Sequence, residues 1–181
     1  TSGGQYETGS REWLEFRQNG IGGSDLGVIA DADSTYHSAM MAKIWDSKKL
    51  PITDEMVQSQ SIGQNTASDP ISRGNVLEEF VVSMYRRDNP DDTVMVGKAS
   101  WVSPTSPMQL NYDAFLSSDG VNPDGALEIK TSSRPQDWGE ESDGLDGVPA
   151  NYRAQVLGQV YEAGFSRGAV SVLINETDMR L

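Results

Sequence analysis

The chain has 181 residues and a formal charge of −13, with 36% hydrophobic and 23% charged residues. This balance fits one globular domain with a substantial core and excludes a wholly disordered chain. It contains no cysteine and one histidine, His37, which excludes disulfides, thiolate zinc sites, iron–sulfur clusters, cysteine nucleophiles and histidine-rich metal centres, so any metal chemistry falls to carboxylates.

Residues 1–10, TSGGQYETGS, are small and polar and read as a frayed terminus or tag remnant, leaving 11–181 as a single domain. No basic-then-apolar leader opens the chain and no apolar run approaches the roughly 20 residues that span a bilayer, so a soluble, cytoplasmic protein is expected. REWLEFRQ, after a capping Ser10, predicts a short helix. GIGGSDLGVIA follows, a glycine-rich turn running into a second helix. Residues 36–50 predict a third helix, and 51–70 a polar connection. In ISRGNVLEEFVVSMYRRDNP the apolar spacing is helical, and Arg86 and Arg87 suit its C-terminal dipole.

TVMVGKASWVS, MQLNYDAFLSSDG and GALEIKTS then read as three strands of an antiparallel meander, separated by PTSP and VNPDG turns. The stretch 134–149 is a loop, PANYRAQVLGQVYEAG a helix and GAVSVLIN a buried strand. Helices, three strands, helix, strand is the order of an α/β domain whose mixed central sheet is flanked by helices. Trp13, Trp45 and Trp101 are expected to pack in or near the core, and Trp138, among acids, to contact DNA or another subunit.

The chemistry concentrates in SSDGVNPDGALEIKT. Strand alternation puts Glu128 and Lys130 on one face and Leu127, Ile129 and Thr131 on the other. The VNPDG turn is expected to bring Asp119, at the end of the preceding strand, beside Glu128. Two carboxylates and the Ile129 backbone carbonyl make an oxygen-rich site for Mg²⁺ or Mn²⁺. Lys130 would face a bound water or developing negative charge, a set suited to phosphodiester hydrolysis. An E-x-K on a strand is also a common solvated ion pair, and a D-G is a common turn.

Four stretches in order resemble the PD-(D/E)xK nucleases, and among them the YqaJ-like viral recombinases of the lambda exonuclease-like group. REWLEFRQNGIGGSD resembles the opening Arg and glycine-rich loop ending in Ser, RGNVLEEF the G-x-x-x-E helix, SSDG with LEIK the acid and E-x-K pair, and NYRAQVLGQVYEAG the following helix. Ser118 stands where the signature's proline is often written, and relatives usually continue beyond NETDMRL, so a trimmed or minimal version is expected. The resemblance implies a restriction-endonuclease-like fold and a Mg²⁺-dependent deoxyribonuclease, commonly a 5′→3′ exonuclease on linear duplex ends that prefers a 5′-phosphate. It also implies phage-type recombination with a single-strand annealing partner, and a homotrimer. Position by position, Asp119, Glu128 and the Ile129 carbonyl would hold metal, and Lys130 would serve the attacking water. Glu78 would assist from its helix, Gln155 would position Lys130 or the water, and Arg17 and Ser24 would hold the terminal 5′-phosphate. A glycine-rich turn at a helix start and an arginine suit an anion on physical grounds as well.

The acidity counts against a nucleic-acid partner. Part of the excess sits in 137–147, with five acids and no base, and a bound cation would offset more. The alternatives are a restriction- or resolvase-like endonuclease of the same fold, and an inactive acidic interaction or DNA-mimic protein. The absence of cysteine disfavours the CRISPR adaptation nucleases that share the core.

Overall fold

A computed structural model describes residues 10–31, 35–63, 70–175 and 178–180. The expected frayed terminus, save Ser10, lies outside the described residues. Helix α1 (Arg11–Gln18) starts where Ser10 accepts a hydrogen bond from the Trp13 amide at 3.1 Å. The short strand β1 (Ile21–Gly22) leads directly into α2 (Gly23–Ala30). Helix α3 (His37–Lys49) and helix α4 (Asp54–Gly63) follow. The second of these falls in the expected polar connection. Thr53 caps it through the Met56 amide at 3.3 Å, and Asp54 and Glu55 occupy its positive first turn, so local capping makes a helix where no apolar periodicity announces one.

The long helix α5 (Pro70–Asp88) precedes the expected meander: β2 (Thr93–Val102), β3 (Met108–Ser117) and β4 (Gly125–Ser132), paired antiparallel in sequence. Two 3₁₀ turns, Pro135–Asp137 and Glu141–Gly147, shape the acidic stretch. Helix α6 (Ala150–Ala163) then crosses to β5 (Arg167–Ile174), which lies parallel to β4, and β6 (Asp178–Arg180) pairs antiparallel with β5. The sheet order is β1-β3-β4-β5-β6, with β2 paired to β3, so the sheet is mixed as expected. Among the described residues no helix is long and apolar enough to cross a membrane.

Each face of the sheet has its own core. On one, Val81, Val82 and Tyr85 of α5 pack with Ala114, Leu116, Leu127, Ile129 and Leu173. On the other, Val156 of α6 packs with Leu110, Tyr112, Ala126, Trp138, Val170 and Val172. Strand alternation therefore places Leu127 and Ile129 under α5 and turns Ala126 and Glu128 toward α6. Trp138 is buried at 8% exposure, against the expectation of a surface contact, while Trp45 is 64% exposed, against the expectation of a core residue. Helix α3 buries no residue fully, half-covers only the stripe His37, Met41, Ile44 and Lys48, and leaves Trp45 on its outer side.

Helices α2 and α6 approach closely because Gly27 lacks a side chain. A Cβ there would lie 2.5 Å from Asn151 Cβ and 2.8 Å from the Asn151 carbonyl oxygen. Gly27→Ala should cost ~1–3 kcal/mol through overpacking, read by urea denaturation.

Candidate active site

Strands β3 and β4 pair from Leu116↔Gly125 back to Ala114↔Leu127, where their ladder ends. One step further along both strands the facing residues are Asp113 and Glu128. There the Ile129 amide donates to the Asp113 carboxylate at 2.9 Å, a side chain taking the place of the next ladder partner. The β2–β3 register also shifts between Val96 and Ala99, opposite this point. The sheet thus opens where two acids meet.

Glu128 is buried to 1% exposure. Its Oε1 accepts from Lys130 Nζ and from the Gln155 amide, and its Oε2 accepts from the Gln159 amide at 2.7 Å. Burial, and then the neighbouring Asp113, push the Glu128 carboxyl up to about 7; Lys130 and Gln159 act against this without cancelling it. Burial acts to lower Lys130, but the carboxylates of Glu128 and Asp113 hold its ammonium above the ordinary lysine value. Lys130 also sits 5.3 Å from the Tyr152 ring centre, and Tyr152 stacks on Trp138 with ring centres 5.5 Å apart. Trp138 therefore backs the tyrosine that flanks the lysine.

The expected place of Asp119 beside Glu128 is taken by Asp113. Asp119 lies beyond the end of β3, in the loop 118–124, and its carboxylate turns back on that loop. It accepts from the Asn122 side chain at 2.9 Å, the Asn122 amide at 2.7 Å, the Val121 amide at 2.8 Å and the Ser117 hydroxyl at 3.0 Å. The Asn122 side chain, the Asn122 and Val121 amides and the Ser117 hydroxyl hold this exposed carboxyl well below the usual range. Its hydrogen bonds are those of a turn staple. Asp113 carried a sequence signal that the D-G motif masked: an acid enclosed by Tyr112, Ala114, Phe115 and Leu116 in a strand with a largely buried interior.

Arg17 and Ser24 are together: the guanidinium donates to the Ser24 hydroxyl at 3.4 Å and lies 4.7 Å from the Trp13 ring centre. Gly22 caps α2, so Ser24 stands exposed inside the first turn and not at the cap. Asp25 accepts from the Gly22 amide at 2.9 Å and pairs with Lys48 at 2.8 Å. Lys48 also donates to the Arg17 carbonyl at 2.7 Å, which ties α3 to the end of α1. A Cβ on Gly23 would lie 2.9 Å from Gln155 Cγ, so this cationic helix start rests directly on a side chain that holds Glu128. Glu78 is half-buried on α5, one residue on from Leu77, which packs on the opposite, Leu127–Ile129 face of the sheet. The structure thus gathers Glu128, Lys130 and Gln155 with Asp113, sets Arg17 and Ser24 alongside, and leaves Asp119 in its turn. Gln159 was not singled out in the sequence; its position one helical turn after Gln155 was the available signal.

Among the described residues no three acid or histidine side chains gather as a metal site. Two carboxylates, Asp113 and Glu128, stand next to one another where the sheet opens.

A search of curated protein sequences finds no match. Among solved structures, an alkaline exonuclease (LHK-Exo) from Laribacter hongkongensis is similar at TM-score 0.58 and 17% identity, over 93% of this chain and 76% of that one. The same enzyme in complex with dAMP gives TM-score 0.59, with 17% identity and the same coverage. At that identity the likeness speaks for the fold, the α/β nuclease architecture of its mixed sheet. The model of the YqaJ-like viral recombinase domain matches residues 12–166. With the match running from the first helix to the residue before β5, this chain belongs to the YqaJ-like viral recombinase domain family.

Proposed function

We propose that this protein is a divalent-metal-dependent deoxyribonuclease that removes nucleotides from 5′-phosphorylated ends of linear duplex DNA. The observation that carries this reading is the continuity from Arg17 and Ser24 through Gly23 and Gln155 to Glu128, Lys130 and Asp113. A site for a terminal phosphate adjoins a site for hydrolysis. Family membership and the exonuclease activity named for the Laribacter protein support the reaction class.

The residues fit a divalent cation. Glu128 and Asp113 are adjacent carboxylates; burial, and then the charge of Asp113, raise Glu128, a cost that a 2+ charge between them would relieve. Asp113, Glu128 and the Ile129 carbonyl would hold it. When bound, the ion supplies Lewis acidity toward a phosphoryl oxygen and lowers the pKa of water. The protein's own contribution is positional and electrostatic. Lys130, held by Glu128 and flanked by Tyr152, presents an ammonium where negative charge develops on the phosphoryl oxygens. Gln155 fixes Glu128 and joins it to the end-binding turn.

Arg17, the Ser24 hydroxyl and the first-turn amides of α2 grip the 5′-phosphate. Water adds to the next phosphorus, the bond to the O3′ of the terminal nucleotide breaks, and that oxygen takes a proton. The terminal nucleotide leaves as a 5′-monophosphate and the shortened strand again begins with a 5′-phosphate, so one grip serves every cycle. Helix α3 resolves part of the charge problem, since it carries Lys43, Lys48 and Lys49, three of the chain's five lysines, against a single acid, Asp46. We assign the protein to phage-type recombination beside a single-strand annealing protein, as a homotrimer in a bacterial cytoplasm, on the strength of the family.

The test compares 5′-phosphorylated linear duplex, 5′-hydroxyl duplex and closed circles, with Mg²⁺, without it, and with Lys130→Ala. Linear 5′-phosphorylated DNA should disappear fastest, circles should persist, and the metal-free and Lys130→Ala reactions should be inert. Cutting of circles would make the protein an endonuclease. No metal-dependent cutting of any substrate would leave an acidic interaction protein.

A further inference from the structure

Gln159 is as buried as Glu128, at 1% exposure, in a part of α6 where its neighbours are Val156 and Val160. An apolar side chain of the same size would fill that space without desolvating an amide. The amide is used fully on its nitrogen side: Nε2 donates to Glu128 Oε2 at 2.7 Å and to the Asn111 carbonyl at 2.8 Å. Both acceptors lie past the point where the β3–β4 ladder ends, so Gln159 bridges the opened strands from the helix above. Its own carbonyl accepts from the Tyr112 hydroxyl at 3.0 Å, which fixes the turn of α6 that carries it.

Gln155, one turn earlier, holds the other Glu128 oxygen. Two amides on one helix face therefore grip one carboxylate, one oxygen each, and rotation about its terminal bond would break both.

We propose that Gln159 is a positioning residue that presets the orientation of the Glu128 carboxylate for the divalent cation. This rests on the reading that Glu128 holds metal, and it assigns part of the metal affinity to a side chain that touches only the ligand. A purely structural role, a polar tie between α6 and β3, would lower stability and leave metal affinity alone.

The test measures Mn²⁺ binding to the DNA-free protein by calorimetry, with the melting temperature of every variant recorded. Gln159→Met, close in volume and unable to donate, should weaken Mn²⁺ binding ~10–100-fold. Part of the lost kcat should return at saturating Mn²⁺, with KM for DNA unchanged. Tyr112→Phe, which removes the helix tie but keeps the amide, should lower the melting temperature and leave the Mn²⁺ Kd within twofold. Should Gln159→Met not fold, Gln159→Asn keeps a polar amide in the core, withdraws it by one methylene, and carries the same comparison. Mn²⁺ affinity within twofold of the unmodified protein in the folded variant would overturn the proposal. Absence of Mn²⁺ binding in the unmodified protein would instead sink the metal reading itself.

Discussion

Asp113→Asn is expected to lower metal-dependent cleavage of linear duplex DNA at least ~1,000-fold, about 4 kcal/mol of transition-state stabilisation. Asp119→Asn is expected to leave the rate within about threefold. The contrast follows from what each carboxylate already does. Asp113 stands opposite Glu128 across the opened β3–β4 pair, accepts the Ile129 amide, and is the charge that Glu128 feels most after burial. Asn in its place keeps the size and one acceptor but halves the anionic charge available to a cation. Asp119 is exposed, and its oxygens are engaged by Ser117, Val121 and Asn122 within its own loop. Single-turnover cleavage of a 5′-labelled duplex, with circular dichroism to show both variants folded, decides between them. Equal loss in both would return Asp119 to the site by some rearrangement of the 118–124 loop, and a fully active Asp113→Asn would remove the metal pair altogether.

That one residue exchanged places with another shows where sequence reasoning loses its grip. Period-two alternation was enough to put Glu128 and Lys130 on one face of β4 and the apolar residues on the other, because only one register buries Leu127 and Ile129 against α5. The meander order, the crossing helix and the mixed sheet were legible for the same reason: apolar periodicity there is strong and each turn is marked by Gly or Pro. Which acid faces Glu128 depends on hairpin register, and register depends on loop length. The loop runs from Ser118 to Asp124, stapled by Asp119 and by the Asp124 amide on the Leu116 carbonyl, and nothing in its composition announces that span. The spacing of Arg17 and Ser24 to either side of a glycine turn was legible, whereas their proximity to Gln155 is tertiary: it needs Gly23 and Gly27 to let α2 lie on α6. Helix α4 was missed because its signal is a cap and two acids, with no apolar face to report it.

The pH dependence of metal binding should separate a built cation site from an incidental pair of acids. Glu128 carries a folded-state pKa of about 7, above the roughly 4.3 of an unfolded glutamate, with burial the main cause and Asp113 the second. A raised carboxyl binds its proton more tightly in the folded protein than in the unfolded chain. Between about pH 4.3 and 7 the metal-free protein therefore loses stability on this group's account as pH rises, and above about 7 the contribution is flat. The proton and the cation compete for the same carboxylate, so the apparent Mn²⁺ affinity should weaken ~10-fold for each unit below pH 7 and stay level above it. The stabilisation by a fixed excess of Mn²⁺, read as a shift in melting temperature, should grow in step from pH 5 to 7 and then level off. Asp119 and Asp124 act with the opposite sign and in another window. Their lowered values give stability that is present above about pH 4 and lost below it, so they do not mimic the effect. Glu128→Gln should flatten the metal-free stability across pH 4.3–7 and abolish the Mn²⁺-dependent shift. Mn²⁺ affinity in the unmodified protein that is level from pH 5.5 to 8 would mean that the cation is held by carboxylates other than this buried one.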